Sequence, residues 1–377
     1  MRYLCCSDIH LGHLKTPTSH IINSFKKSIL TDSNKDISIL FISGDLFDRL
    51  LDLNSKDVSP IIDFFNYLLN YCYVNDILLR VLEGTPSHDW LQSNTIVKLN
   101  EIRQNKCDLK HIKVLDVEYI EKVNKYVLYI PDEWVHSHDE LEVQIQEKLN
   151  KLLITNVDIA ILHGQFNYQL AGKKYNGFFF KEEYFLKLVK GFIHVGHYHM
   201  FSKFDRIIAN GSLERLAHGE EQPKGYVLVE DDKYTFIENT NSYTYTTLNI
   251  TNATTLERLD KLIAKFPVNS YIRLMLNKDH EFNINFTELK LRYLDYHLKK
   301  IIKENVSDHN SITYILTDDE EIELSDSFIL DNNIYSTLVN NIQINYQLSE
   351  VENVKFLNYV EIFKHSEGEI NEVERQI

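Results

Sequence analysis

Five short polar clusters, each directly after an apolar run, constrain this chain more than any other feature of its sequence. Residues 5–7 lead into Asp8-Ile9-His10, and residues 39–43 into Gly44-Asp45-Leu46-Phe47-Asp48. Residues 79–82 precede Gly84-Thr85-Pro86-Ser87-His88-Asp89. Residues 159–162 precede His163-Gly164, and 192–195 precede Gly196-His197-Tyr198-His199. Each apolar run reads as a buried strand and each cluster as the loop that leaves it. The carboxyl ends of strands in an α/β sheet share one edge, where ligand sites gather. Clusters spread over about 190 residues are therefore expected to meet in space.

Together the clusters supply carboxylates and histidines, a ligand set for divalent transition metals. Asp8 and His10 are two apart, as are His197 and His199, so each pair points to one side of an extended chain. Asp45 can bridge two cations at roughly 3.5–4 Å, the separation found in two-metal hydrolases. One such cluster alone is commonplace; an isolated Asp-x-His or Gly-His-x-His is more often a loop than a ligand pair. Five in order, each at a strand end, argue for a site.

Around the clusters, strands are expected at residues 2–7, 37–43, 77–82, 113–120, 125–130, 158–162, 191–195, 206–209, 225–230 and 234–237. Helices are expected at 19–30, 58–71, 138–153, 255–265, 286–303, 327–340 and 350–365. Strands alternating with helices give an α/β class with a layered central sheet. Glycine nearly vanishes beyond about residue 241, which places a domain boundary near 240 and a weaker one near 320.

The 377 residues are 44% hydrophobic and 25% charged, enough for a large domain and a smaller one without staples. The net charge of −15 argues against a general basic coat for nucleic acid, but leaves room for a DNA enzyme with a local basic surface. Cys5, Cys6, Cys72 and Cys107 show no CxxC spacing, so core packing in a reducing compartment is expected rather than disulfides or thiolate zinc. Neither a signal peptide nor an apolar run of membrane-spanning length is evident, and a cytoplasmic protein without membrane contact is expected.

The order of the motifs resembles the calcineurin-like metallophosphoesterase superfamily. Ser43-Gly44-Asp45-Leu46-Phe47-Asp48 is similar to its DNA-nuclease branch, which includes bacterial SbcD and the eukaryotic meiotic-recombination nuclease; a phage-encoded member would fit, working in the host cytoplasm. Asn210-Gly211-Ser212-Leu213-Glu214-Arg215 and Gly219-Glu220-Glu221 resemble the end of that catalytic domain. The resemblance covers residues 1–240. It implies a four-layer α-β-β-α sandwich there, a smaller α+β capping or DNA-binding domain at 241–320, and a helical segment at 321–377.

By the same resemblance, one metal is held by Asp8, His10, Asp45 and His199, and a second by Asp45, His163, His197 and the residue before His88. That residue is Ser87, where the family carries asparagine in a turn two residues shorter; Thr85 is the alternative donor. His88 is expected to stabilise charge on the phosphoryl group and the leaving oxygen, Asp89 to orient His88, and Asp48 to hydrogen-bond a ligand histidine. Manganese suits these ligands best, with magnesium, iron or zinc as alternatives.

The implied function is a DNA exo/endonuclease acting at double-stranded ends in repair or recombination. It would work as a homodimer with an SMC-like ATPase of the SbcC type, gripped by the C-terminal helices. Lys173, Lys174 and Arg215 are the expected DNA contacts, although residues 165–177 also read as an ordinary surface loop. Two other functions fit the residues: a phosphatase or phosphodiesterase for a small substrate, and a catalytically weakened scaffold, which the altered 84–89 turn would favour. His194, inside a buried strand, reads as a satisfied core residue.

Overall fold

The computed structural model describes residues 1–315 apart from 53, 91, 133–136, 171–176, 251–255, 278–285 and 304–313. The chain divides into two compact units, Met1–Leu316 and Thr317–Ile377, and all described residues lie in the first. In chain order the elements begin β1 (Arg2–Cys6), α1 (Thr18–Ser28), β2 (Ile39–Ser43), α2 (Val58–Val74), β3 (Leu78–Leu82), α3 (Pro86–Asp89), α4 (Thr95–Glu101) and β4 (Leu109–Ile112). There follow β5 (Asp116–Ile120), β6 (Lys125–Ile130), α5 (His138–Lys151), β7 (Ile159–His163), α6 (Glu182–Leu188), β8 (Ile193–Gly196), β9 (Ser202–Phe204) and β10 (Ile207–Ala209). Last come β11 (Gly225–Glu230), β12 (Lys233–Glu238), β13 (Tyr245–Ile250), α7 (Leu256–Ile263), β14 (Tyr271–Asn277), α8 (Phe286–Arg292), β15 (His297–Lys303) and β16 (Tyr314–Ile315).

The class is mixed α/β, with two six-stranded mixed sheets and, among the described residues, eight α-helices. One sheet runs β12-β11-β1-β2-β3-β4, with β1 to β4 parallel; the other runs β5-β6-β7-β8-β10-β9, with β6, β7, β8 and β10 parallel. Alternation along each strand divides the core. Tyr3, Cys5 and Phe41 share an apolar cluster with Val127, Tyr129, Ile159 and Ile161 of the other sheet. Their neighbours Leu4, Cys6, Leu40 and Ile42 pack with Ile21 and Phe25 of α1 and Phe64, Phe65 and Leu68 of α2. Leu128, Ile130 and Leu162 pack with Leu141, Ile145 and Leu149 of α5 and Phe185 of α6. Burial on both faces is why these strands read as unbroken apolar runs, and each such side chain contributes about 1.5–3 kcal/mol.

A third, four-stranded sheet, β13-β14-β15-β16, has its own core around Leu259, Ile263, Ile272 and Leu298. A stacked ring joins it to α1, His20 on Tyr243 at 3.5 Å, and stacking continues across its own strands, Tyr245 on Tyr271 at 4.4 Å and Tyr271 on His297 at 4.2 Å.

Two expectations need correction. The strand expected over 113–120 is split: β4 ends at Ile112 in the first sheet and β5 begins at Asp116 in the second, so the chain changes sheets between them. The helix expected over 286–303 ends at Arg292, and His297–Lys303 is a strand. Leu298 and Ile301 are spaced like a helix face, but pairing of the whole segment with β14 outweighs that local pattern. The terminal helices expected at 327–340 and 350–365 lie outside the described residues. No helix among the described residues is long and apolar enough to cross a membrane.

Candidate metal centre

The five clusters leave the carboxyl ends of β1, β2, β3, β7 and β8, and the structure brings their side chains together. Three overlapping groups could each hold an ion: Asp8, His10 and His199; His10, Asp45 and His88; and Asp45, His163 and His197, their ligand atoms within 4.8 Å of one another. His10 and Asp45 each belong to two groups, so the three form one connected site.

The backbone is bent to reach this arrangement. Asp8, His10, Asp45 and His197 all have positive φ, of 51, 55, 49 and 87°. Aspartate and histidine tolerate that region better than most residues, and such outliers concentrate at functional sites. Backbone bonds lock the first two loops: Ile9 N–H donates to Asp45 O at 2.8 Å and Asp8 N–H to Gly44 O at 3.1 Å. Gly44, itself at φ 89°, must lack a side chain because a Cβ there would run into the His163 ring. A Cβ on Gly84 would strike the backbone nitrogen and carboxylate of Asp45.

Asp45 is the hub. Its Oδ1 lies 3.2 Å from His163 Nε2 and its Oδ2 lies 3.0 Å from His88 Nδ1. Burial opposes its ionisation, but His163 and His88 outweigh that and hold its carboxyl well below the usual range. The orientation of His163 is decisive. Its Nδ1 lies 2.8 Å from the Ser43 carbonyl, which can only accept, so Nδ1 carries the proton. In the neutral ring the Nε2 lone pair therefore faces the Asp45 carboxylate, two acceptors 3.2 Å apart. A cation between them, or a second proton on the ring, resolves the conflict. In the bare protein the proton serves: burial lowers the His163 pKa, but Asp45 outweighs it and raises it well above the ordinary value.

At the other end two imidazole nitrogens meet, so one ring must donate to the other or an ion must lie between them. His10 Nε2 and His199 Nε2 are 3.0 Å apart, while their Nδ1 atoms lie 3.2 Å from Asp48 Oδ1 and 2.8 Å from Glu220 Oε1. His10 Nδ1 and His88 Nδ1 are buried without a partner in hydrogen-bond geometry. Imidazole and carboxylate atoms this close together, two of them buried without a hydrogen-bond partner, fit bound divalent ions. Asp8 is fixed by His197 N–H, which donates to its Oδ1 at 2.9 Å.

The 84–89 turn differs from expectation in one residue. Pro86 starts α3, which leaves Ser87 exposed on its surface. Thr85, just before the helix, takes the inner position: its N–H donates to Asp45 Oδ1 at 2.6 Å, and its Oγ1 lies 3.3 Å from Asp45 Oδ2 and 3.5 Å from His163 Nε2. Asp89 is buried and accepts from Phe47 N–H at 2.9 Å and Gly84 N–H at 2.8 Å, so its oxygens join two ligand loops. Burial, and then Asp45, push its carboxyl up to about 7. His88 sits at the mouth with 29% of its side chain exposed.

Arg215 has an intramolecular task. Its side chain is 12% exposed and its guanidinium reaches the carbonyls of Glu221 and Tyr243 and the Glu238 carboxylate. Lys173 and Lys174 lie outside the described residues. Two contributors escaped the sequence reading, Glu220 on His199 and Lys224 behind it; Glu220 stood out there only within a resembling segment. Burial works against ionisation of Glu220, yet His199 and Lys224 bring its carboxyl down to about 2.

No family model matches the chain, and no curated protein matches it either. Among solved structures that match, one crystal structure is 12% identical with a TM-score of 0.38, over 63% of this chain and 99% of its own.

Proposed function

We propose that the chain is a two-metal phosphodiesterase of the calcineurin-like type, its two sheets and flanking helices forming a four-layer α-β-β-α sandwich, and that it cleaves DNA ends. The observation that carries this is Asp45: it belongs to two ligand groups and its carboxylate lies between His163 Nε2 and His88 Nδ1, as a carboxylate bridging two cations would. Asp8, His10, Asp45 and His199 would hold one ion. Asp45, His163, His197 and the Thr85 hydroxyl would hold the other, manganese suiting the set best. Bound ions would supply an activated water and neutralise charge on the phosphoryl oxygens. His88, half-buried at the mouth and beside Asp45, is placed to donate a proton to the departing oxygen.

DNA as the substrate is supported by the likeness of residues 43–48 and 210–215 to the SbcD-type branch. The third sheet would then cap the substrate, and the segment after residue 320 would bind an SMC-like ATPase. The test is cleavage of end-labelled linear double-stranded DNA with Mn²⁺ or Mg²⁺, beside Asp45→Ala, His88→Ala and a nitrophenyl phosphate control. Metal-dependent cleavage lost in both variants is expected. Turnover of the small ester without cleavage of DNA would replace this reading with a small-substrate phosphatase.

A further inference from the structure

Behind His199 lies a pair of charges, a half-buried Glu220 and a fully buried Lys224, that no ligand group contains. Glu220 Oε1 is 2.8 Å from His199 Nδ1. The other oxygen, Oε2, accepts from Lys224 Nζ at 2.9 Å. Lys224 also donates to the His199 backbone carbonyl at 2.8 Å, and its side chain is 0% exposed. One lysine thus grips both the histidine's backbone and the carboxylate that holds its ring. Burying Lys224 gives up the hydration of its ammonium, which offsets much of what the ion pair adds to stability. What this pair adds is direction, since Lys224 takes one Glu220 oxygen and leaves the other aimed at Nδ1.

The loop bearing Glu220 is fixed from its far side as well. Tyr245 OH donates to Leu216 O at 3.2 Å, and Thr247 Oγ1 donates to Glu221 Oε1 at 2.9 Å, both from β13 of the third sheet. Glu220 is therefore clamped between that sheet and the metal centre.

We infer that Glu220 and Lys224 are positioning residues that lock His199 in its Nδ1–H tautomer and so aim its Nε2 lone pair at an ion. The proton sits on Nδ1 because a carboxylate can only accept, and Nε2 is left as the ligand atom. The inference rests on the metal reading above for its purpose, but its geometry can be tested without metal.

Nitrogen-15 NMR of the full chain, metal-free and at a pH where the ring is neutral, reports the tautomer directly, with His199→Asn identifying the signal. The wild type should show Nδ1–H alone, and Glu220→Ala a mixture. In parallel, Mn²⁺ affinity should fall about 10–100-fold in Glu220→Ala. A smaller fall is expected in Lys224→Met, recovered in Lys224→Arg. If Glu220→Ala does not fold, Glu220→Gln replaces it, because its amide can present either an oxygen or an N–H to the ring. A tautomer unchanged in the folded Glu220 variant, with only the melting temperature lowered, would overturn the inference. A tautomer shift in a protein that binds no Mn²⁺ would keep the positioning role and remove the metal reading instead.

Discussion

Two buried histidines on neighbouring strands, His163 at the end of β7 and His194 inside β8, are handled in opposite ways. His194 Nε2 lies 3.0 Å from Tyr3 OH and its Nδ1 lies 3.1 Å from Asn210 Oδ1, each a neutral partner. Both ring nitrogens are satisfied, and burial pushes the ring's pKa down to about 4. His163, equally buried, has a carbonyl on one side and a carboxylate on the other. Two acceptors around a neutral ring leave one lone pair in conflict, and its pKa moves up. Burial alone therefore does not set how a histidine is held; the acceptor balance of its partners does.

Asp45→Ala is the harshest test of that contrast. Without the shared carboxylate, DNA cleavage should fall at least about 10³-fold, as expected when charge stabilisation of several kcal/mol is lost. Retained activity in this variant, measured on end-labelled duplex, would dissolve the distinction drawn at His163.

The two rings should also oppose each other in pH dependence. The His194 pKa is about 4 in the folded protein and 6.5 as its ordinary value. Between those values the unfolded chain binds more protons, so stability falls as pH drops from 6.5 to 4, by on the order of 3 kcal/mol. His163 is raised in the metal-free protein, so its contribution is present below pH 6.5 and lost as pH rises through its folded value. Urea unfolding of metal-free wild type and His194→Gln across pH 4–7 checks the sign: the variant should lose the acid-side slope.

The smallest effect sharpens the site's edge. Thr85→Ala should weaken the second ion about tenfold by removing one donor, of the size of a single hydrogen bond or weak ligand, while Ser87→Ala leaves it unchanged. Metal titration of both variants decides between the two hydroxyls, and a loss confined to Ser87→Ala would reverse the assignment.

Most of the strand pattern was legible because buried strands leave an apolar run and the loop after each carries its chemistry. Asp8, His10, Asp45, His163, His197 and His199 converge for that reason. Thr85 was not the first choice because the turn's length hides which residue begins α3. Glu220 and Lys224 lie beyond the last cluster, and nothing in their spacing points back to His199. The strand at 297–303 was hidden by its helix-like spacing, since its partner β14 is remote in sequence.

The most direct measurement is Mn²⁺ titration of the wild-type chain followed by electron paramagnetic resonance. If Asp45 bridges two ions, two Mn²⁺ bind per chain and give the signal of an exchange-coupled pair. A single uncoupled Mn²⁺, or none, would contradict the account.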